Sequence, residues 1–168
     1  TQERADVKSG KLIWWKLHSP SKPEYVNLPK IVTPYLSIFP KFAIDTEGEF
    51  ITSRSPFFIL KEKDTDINLL YYFLGLLNST PCYWALSLQS HKQSSGYNIF
   101  HLNILKTTPV PDPTFAEHSS LVSKMILTVK RRIAEKSDSK KMEIDMEINN
   151  IACELYQLTS DEMELLGL

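Results

Sequence analysis

The segment Leu69-Leu70-Tyr71-Tyr72-Phe73-Leu74-Gly75-Leu76-Leu77-Asn78-Ser79-Thr80 constrains this chain more than any other. From Asp66 onward, Ile67, Leu69, Leu70, Phe73, Leu74, Leu76 and Leu77 cover nearly the whole circumference of a helix, and a helix that is apolar all round must be wrapped by other elements. The run ends on polar residues. Thr80 as N-cap, with Pro81 at the first helical position, predicts a second helix that carries Trp84, Leu86 and Leu88 to about Gln89. The apolar stretch from Ile67 to Leu77 is too short to span a bilayer and includes Asn68 and Gly75. With 42% hydrophobic residues among 168, the chain can bury one globular core. It reads as soluble and cytoplasmic, with no signal-peptide pattern, and Thr1 in place of an initiator methionine predicts a piece of a longer polypeptide.

Upstream, the pattern is that of strands. Lys11 to Leu17 has strand-like bulk, the proline-rich segment Pro20 to Pro29 predicts a loop, and Lys30 to Ser37, Lys41 to Asp45 and Phe50 to Lys61 follow as strands, with Pro56 at an edge, bulge or strand start. Asp45-Thr46-Glu47-Gly48 predicts a tight hairpin turn, since Gly48 can take a positive φ. Beyond Pro109-Val110-Pro111-Asp112-Pro113, Thr114 and Glu117 predict a capping box, and Leu121, Val122, Met125, Ile126, Val129 and Ile133 trace one face of a long helix. Ile144, Ile148, Ile151, Ala152 and Leu155 trace a second, and Thr159 with Glu162 caps a short last one. The expected fold is α+β: a small, mostly antiparallel sheet packed with helices, followed by a C-terminal helical hairpin. Residues 1–112 and 113–168 are the corresponding units.

Charge is divided unevenly. Residues 1–110 hold 12 Lys+Arg against 9 Asp+Glu, and residues 111–168 hold 7 against 11, so the first part is the better candidate for meeting a polyanion. Cys82 and Cys153 sit in apolar helical contexts and read as buried free thiols, while His18, His101 and His118 lack metal-ligand spacing. Asp64 and Asp66 read as helix-start residues and Asp112 lies among prolines, so no nuclease cluster is expected. Trp14, Trp15, Trp84, Tyr71 and Tyr72 read as core, and Lys130-Arg131-Arg132 as a solvated helix face.

Several of these pieces, in this order, resemble the target-recognition domains of restriction-modification enzymes, especially the specificity domain of TaqI-like adenine methyltransferases. Lys30-Ile31-Val32-Thr33-Pro34 with Phe42-Ala43-Ile44-Asp45 and Gly48 resembles the opening strands, and Leu74 to Ser79 the helix ending in Leu-Asn-Ser. Leu105 to Pro111 is similar to the closing Leu-Pro-x-Pro stretch, and Ile144-Asp145 with Glu154-Leu155-Tyr156-Gln157-Leu158-Thr159 to the helix-and-cap segment after it. Thr107-Thr108 depart from the pattern, which often has a bulkier residue before the proline. The resemblance implies a module that reads a short sequence in duplex DNA, residues 1–112 being the recognition domain and 113–168 packing on it or on the parent enzyme. A methyltransferase domain, on the same or a partner chain, would transfer methyl from S-adenosylmethionine in a phage-defence context. This chain has neither an Asn-Pro-Pro-Tyr-like motif to hold a flipped adenine nor a glycine-rich turn after a strand, so it is expected to be non-catalytic and to hold no cofactor itself.

Residue chemistry narrows the contacts to DNA. Arg and Lys can donate to guanine O6 and N7, Asn and Gln can pair with the adenine edge, and hydroxyls reach either base or phosphate. Ser53, Arg54 and Ser55 supply these types in one predicted loop, and His91, Lys92, Gln93, Ser95 and Asn98 in another; Lys41 is a phosphate candidate. Gly96 fits either a simple turn or a close approach of backbone to DNA. The alternative is a protein-interaction module that docks through the amphipathic helices between Thr114 and Leu166.

Overall fold

The computed structural model describes residues 5–11, 13, 25, 27–52, 55–60, 66–93 and 95–168. Most of the expected strand at Lys11 to Leu17, most of the proline-rich segment, Asp64 and His18 lie outside them. After a single-turn helix α1 (Ala5–Lys8), the chain builds two three-stranded antiparallel sheets where one was expected. The first has the order β3-β1-β4, from β1 (Lys30–Val32), β3 (Ala43–Asp45) and β4 (Phe57–Ile59). The second has the order β2-β6-β5, from β2 (Leu36–Ser37), β5 (His91–Lys92) and β6 (Asn98–Ile99).

The expected strand from Lys30 to Ser37 is therefore two strands in two sheets. Pro34 has no N–H to give a ladder, and the chain changes sheets across it. Phe42 spans the junction, its ring 6.2 Å from both Phe58 and Phe100. The expected hairpin at Asp45 to Gly48 is not formed either, because β3 and β4 both pair with β1 and not with each other. Gly48 does take a positive φ of 70°, and it lies against the main chain of Asn27, with which a Cβ would overlap. The turn is held by Asp45, whose carboxylate accepts the Glu49 and Phe50 N–H groups at 3.0 and 2.9 Å.

Asp45 also forms a buried ion pair. Its Oδ2 is 2.8 Å from Lys30 Nζ, both side chains being 3% exposed, and Lys30 also donates to the Leu28 carbonyl. Burial alone would raise the Asp45 carboxyl, but the Lys30 hydrogen bond and the Phe50 and Glu49 amides outweigh it and bring the group down to about 2.

Helix α2 (Asn68–Asn78) buries Leu70, Tyr72, Leu74, Gly75, Leu76 and Leu77, and Asp66 Oδ1 accepts the Asn68 N–H at its start. At its other end Asn78 acts as a β-strand would. Its Oδ1 accepts the Phe42 N–H and its Nδ2 donates to the Phe42 carbonyl, both at 3.0 Å, fastening the helix to the chain entering β3. Helix α3 (Thr80–Gln89) has Ser79, not Thr80, as its N-cap, and its first amide is taken by Asn149 Oδ1 at 2.8 Å. Ser79 is unavailable as a side-chain cap because its Oγ donates back to Leu76 O. Trp84 is 53% exposed, contrary to its expected place in the core, whereas Tyr72 is fully buried.

The helix α4 (Leu102–Thr107) leads to the proline segment, where the expected Thr114–Glu117 capping box is absent. Asp112 takes that role: its Oδ1 accepts both the N–H and Oγ1 of Thr114, ahead of a 3-10 turn at Ala116–His118. The long helices α5 (Ser119–Ala134) and α6 (Asp138–Leu155) bury the expected faces, Val122, Met125 and Val129 on one and Ile144, Ile148, Ile151, Ala152 and Leu155 on the other, whereas Ile133 stays 52% exposed. The last helix, α7 (Ser160–Leu165), has the full capping box between Thr159 and Glu162. Cys82 and Cys153 are buried free thiols, with burial pushing Cys82 up to about 11.

Two outcomes follow for stability. Asp45→Asn removes the carboxylate that pairs with the buried Lys30 ammonium and accepts the Glu49 and Phe50 amides, and is expected to cost about 3–5 kcal/mol in urea unfolding near neutral pH. Since the Asp45 carboxyl lies below its ordinary 3.8 in the folded state, its contribution is complete above that value, and the gap between wild type and variant should narrow as pH falls from about 4 toward 2. Gly75→Ala is expected to cost about 1–3 kcal/mol, because the new Cβ would overlap Met125 Sδ and stand 2.8 Å from Val129 Cγ2; Val129→Ala should restore part of the loss.

Candidate nucleic-acid interface

The polar stretch expected as a loop is a β-hairpin. Ser90 Oγ donates to Leu86 O at the end of α3, and the chain then enters β5. The turn is closed by Gln93 N–H to Tyr97 O and Gly96 N–H to Gln93 O, both 2.9 Å. Gly96 has φ 82°, a conformation that β-carbon-bearing residues adopt at a cost, and open space surrounds it. His91, Lys92, Gln93 and Ser95 are all exposed.

Strand register decides which way these side chains face. Leu36, Ile99 and His91 lie opposite one another across the three strands, as do Ser37, Asn98 and Lys92. Residues directly opposite share a face and neighbours along a strand alternate, so His91 and Lys92 face opposite ways. The Ser37–Asn98 face is turned inward: both residues are buried, and only the edge residue Lys92 reaches solvent. Asn98, expected as a base contact, is 4% exposed and donates from Nδ2 to the Tyr83 hydroxyl at 2.8 Å. The Tyr83 hydroxyl in turn donates to the Ile38 carbonyl, tying α3 to both β6 and the chain after β2. Among the described residues Asn98 Oδ1 finds no hydrogen-bond partner.

The opposite face carries a row of rings that residue-by-residue reading missed. The His101 centroid is 5.5 Å from Tyr35 and 6.4 Å from His91, edge-on to both. Phe100 N–H donates to Tyr35 O at 3.0 Å, which fixes His101 at the start of α4. The hairpin pairs His91 with Ile99, and that register brings His91 near His101, ten residues along the chain.

Other expected contacts fall elsewhere. Ser53 and Arg54 lie outside the described residues, and the Ser55 carbonyl accepts Thr52 Oγ1 at 2.9 Å. Lys41 is exposed on a groove of about 600 Å³ walled by residues of α2, α5 and α6, away from the hairpin's own sheet. Three of the four cations of α5 are committed within the chain: Arg132 holds Asp145 with two bonds of 2.7 and 3.0 Å, Arg131 holds Glu147, and Lys130 reaches Asn68 and the Tyr71 ring. Among the described residues there is no group of three or more His, Cys, Asp or Glu able to hold a metal ion, and no helix is long and apolar enough to cross a membrane.

No protein-family model matches the chain. Its sequence is 27% identical over 152 residues to the type II methyltransferase M.BanIII of Aneurinibacillus aneurinilyticus, a match that covers 88% of this chain and 25% of that protein. The similarity relates the chain to a type II methyltransferase, of whose length it spans about a quarter.

The interior side of the hairpin is testable by itself. Tyr83→Phe removes the donor to Ile38 and the acceptor for Asn98, and is expected to cost about 1–3 kcal/mol. Hydrogen–deuterium exchange should quicken at Gln93 and Ile99 while the amides of α5 stay protected.

Proposed function

We propose that this chain is the sequence-reading part of a restriction-modification enzyme that methylates adenine in duplex DNA. The observation that carries the reading is the match to M.BanIII, which takes in nearly all of this chain but a quarter of that protein. Methyl transfer then belongs to the remainder of the parent, on the same or a partner chain. The residues here do not fit S-adenosylmethionine: the sequence offers no glycine-rich turn between a strand and a helix. Residues 1–112 hold the reading surface, and α5 and α6 brace it by packing their apolar faces on α2 and each other. The parent would act in the cytoplasm, in phage defence.

In this reading the hairpin residues His91, Lys92, Gln93 and Ser95 supply direct contacts, and Asn98 holds the hairpin in position. Gln93 suits the adenine edge and Lys92 suits phosphate or guanine. Arg54, Ser53, Ser55 and Lys41 remain in the proposed contact set as a second group. The alternative of a docking module is less well supported, since the main apolar faces of α5 and α6 pack inside the chain, although Leu127, Ile133, Met142, Met146 and Leu165 stay exposed.

Selection from a randomised duplex pool at low and moderate salt, followed by sequencing of the bound fraction, tests the proposal. A short motif that survives moderate salt is the expected result. Binding that vanishes with salt and enriches no sequence would overturn sequence reading by this chain, and no binding at either salt would overturn DNA binding altogether.

A further inference from the structure

From Ile67 to Pro111 the chain contains no aspartate or glutamate, a run of 45 residues in a protein that has 20 such acids. Burial does not account for this. Part of the run is core, but the end of α3, the β5–β6 hairpin and α4 all present exposed polar side chains, and none of them is acidic. The cations in the run are Lys92 and Lys106, both exposed, one at the edge of the hairpin sheet and one in the last turn of α4.

These pieces are joined to one another, with Lys92 leaving the hairpin sheet on the side opposite to His91. His101 bridges from the ring row of the hairpin sheet to the first residue of α4, and Thr107 Oγ1 reaches Gln89 Oε1 at 3.1 Å to join the ends of α4 and α3. Asn103 and Lys106 are three apart on α4 and so share a face, both exposed. A carboxylate near a phosphate backbone is repelled and must be desolvated or neutralised. Elements that contribute amides, imidazoles and two ammonium groups but no carboxylate meet a polyanion without adding that cost.

We infer that duplex DNA is met by the β5–β6 hairpin and α4, elements that bring no carboxylate of their own, with His101, Asn103 and Lys106 joining the contact set. This rests on the DNA-reading function proposed above and assigns it to these two elements. Lys92 and Lys106 neutralise phosphate, while Asn103 and Gln93 are the amides able to pair with an adenine edge.

The test uses the whole chain and the duplex motif that wild type enriches, with affinity read by fluorescence anisotropy across a salt series. Lys92→Glu and Lys106→Glu are each expected to weaken binding tenfold or more, and Lys106→Ala to lower the slope of log affinity against log salt by about one. Lys140→Glu, in the first turn of α6, should leave affinity within about twofold. Repeating the pool selection with Gln93→Ala and with Asn103→Ala should relax the motif at one base position each. Unchanged circular dichroism melting curves exclude unfolding, since none of these side chains is buried. If wild type selects a motif and the Lys92, Lys106, Gln93 and Asn103 variants keep both affinity and motif, DNA reading stands and these two elements are the wrong ones. If wild type ignores duplex DNA and binds polyglutamate through the same two lysines, the polyanion is a protein, and the inference falls together with the proposed function.

Discussion

Everything else in this fold is arranged around the need to cover α2 on all sides. A helix with Leu70, Tyr72, Leu74, Leu76 and Leu77 buried has no solvent face to spare, so the first sheet, α3, α5 and α6 each take part of its circumference. Gly75 shows how tightly one of those contacts is drawn, since α5 approaches until a single added carbon would strike Met125 and Val129. Polar groups at the helix ends then fix its partners in register. Asn78 pairs with the main chain of Phe42, and Asn149 of α6 takes the first amide of α3, so that a strand, two helices and the C-terminal hairpin share one set of constraints.

The proline segment is held to that core in a related way. Prolines contribute carbonyls without N–H groups, so Pro109-Val110-Pro111 cannot be satisfied by a ladder. The Tyr156 hydroxyl donates to the Pro109 carbonyl at 3.0 Å and the Tyr72 hydroxyl to the Pro111 carbonyl at 2.9 Å, one phenol from α2 and one from the end of α6. Burial raises both phenols, keeping them in the donating form. The passage from α4 to α5 is thereby anchored at two points, and the rigid backing of α4 follows from it.

Helices were far more legible in the sequence than strands. The faces of α5 and α6 and the Thr159–Glu162 cap depend on spacings of three and four residues, which a linear reading contains in full. The strands are two or three residues long, and their pairing depends on contacts between segments far apart in sequence, so Lys30 to Ser37 read as one strand when Pro34 divides it between two sheets. Asp45 misled for a similar reason. Its neighbours spell a hairpin turn, but its carboxylate is engaged by Lys30 and by two amides, and β1 occupies the place a hairpin partner would have taken. At the candidate interface, residue types alone put Asn98 among the contacts; register turns it inward and brings His101 out beside His91. The missing acids between Ile67 and Pro111 are legible in the sequence only as an absence.

The distribution of charge then has a physical rationale on both sides of Pro111. The C-terminal helices hold most of the committed ion pairs among the described residues, Arg131 with Glu147, Arg132 with Asp145 and Lys141 with Asp138, and such pairs are satisfied within the chain and contribute little attraction to a distant polyanion. The run before Pro111 does the reverse, contributing no carboxylate and leaving its two lysines at the surface. Net charge, at −1, averages these two regimes into near neutrality and conceals both. What bears on function is where carboxylates stand relative to the exposed amides and imidazoles, because repulsion at contact distance is felt locally and is screened within about 10 Å at ordinary salt.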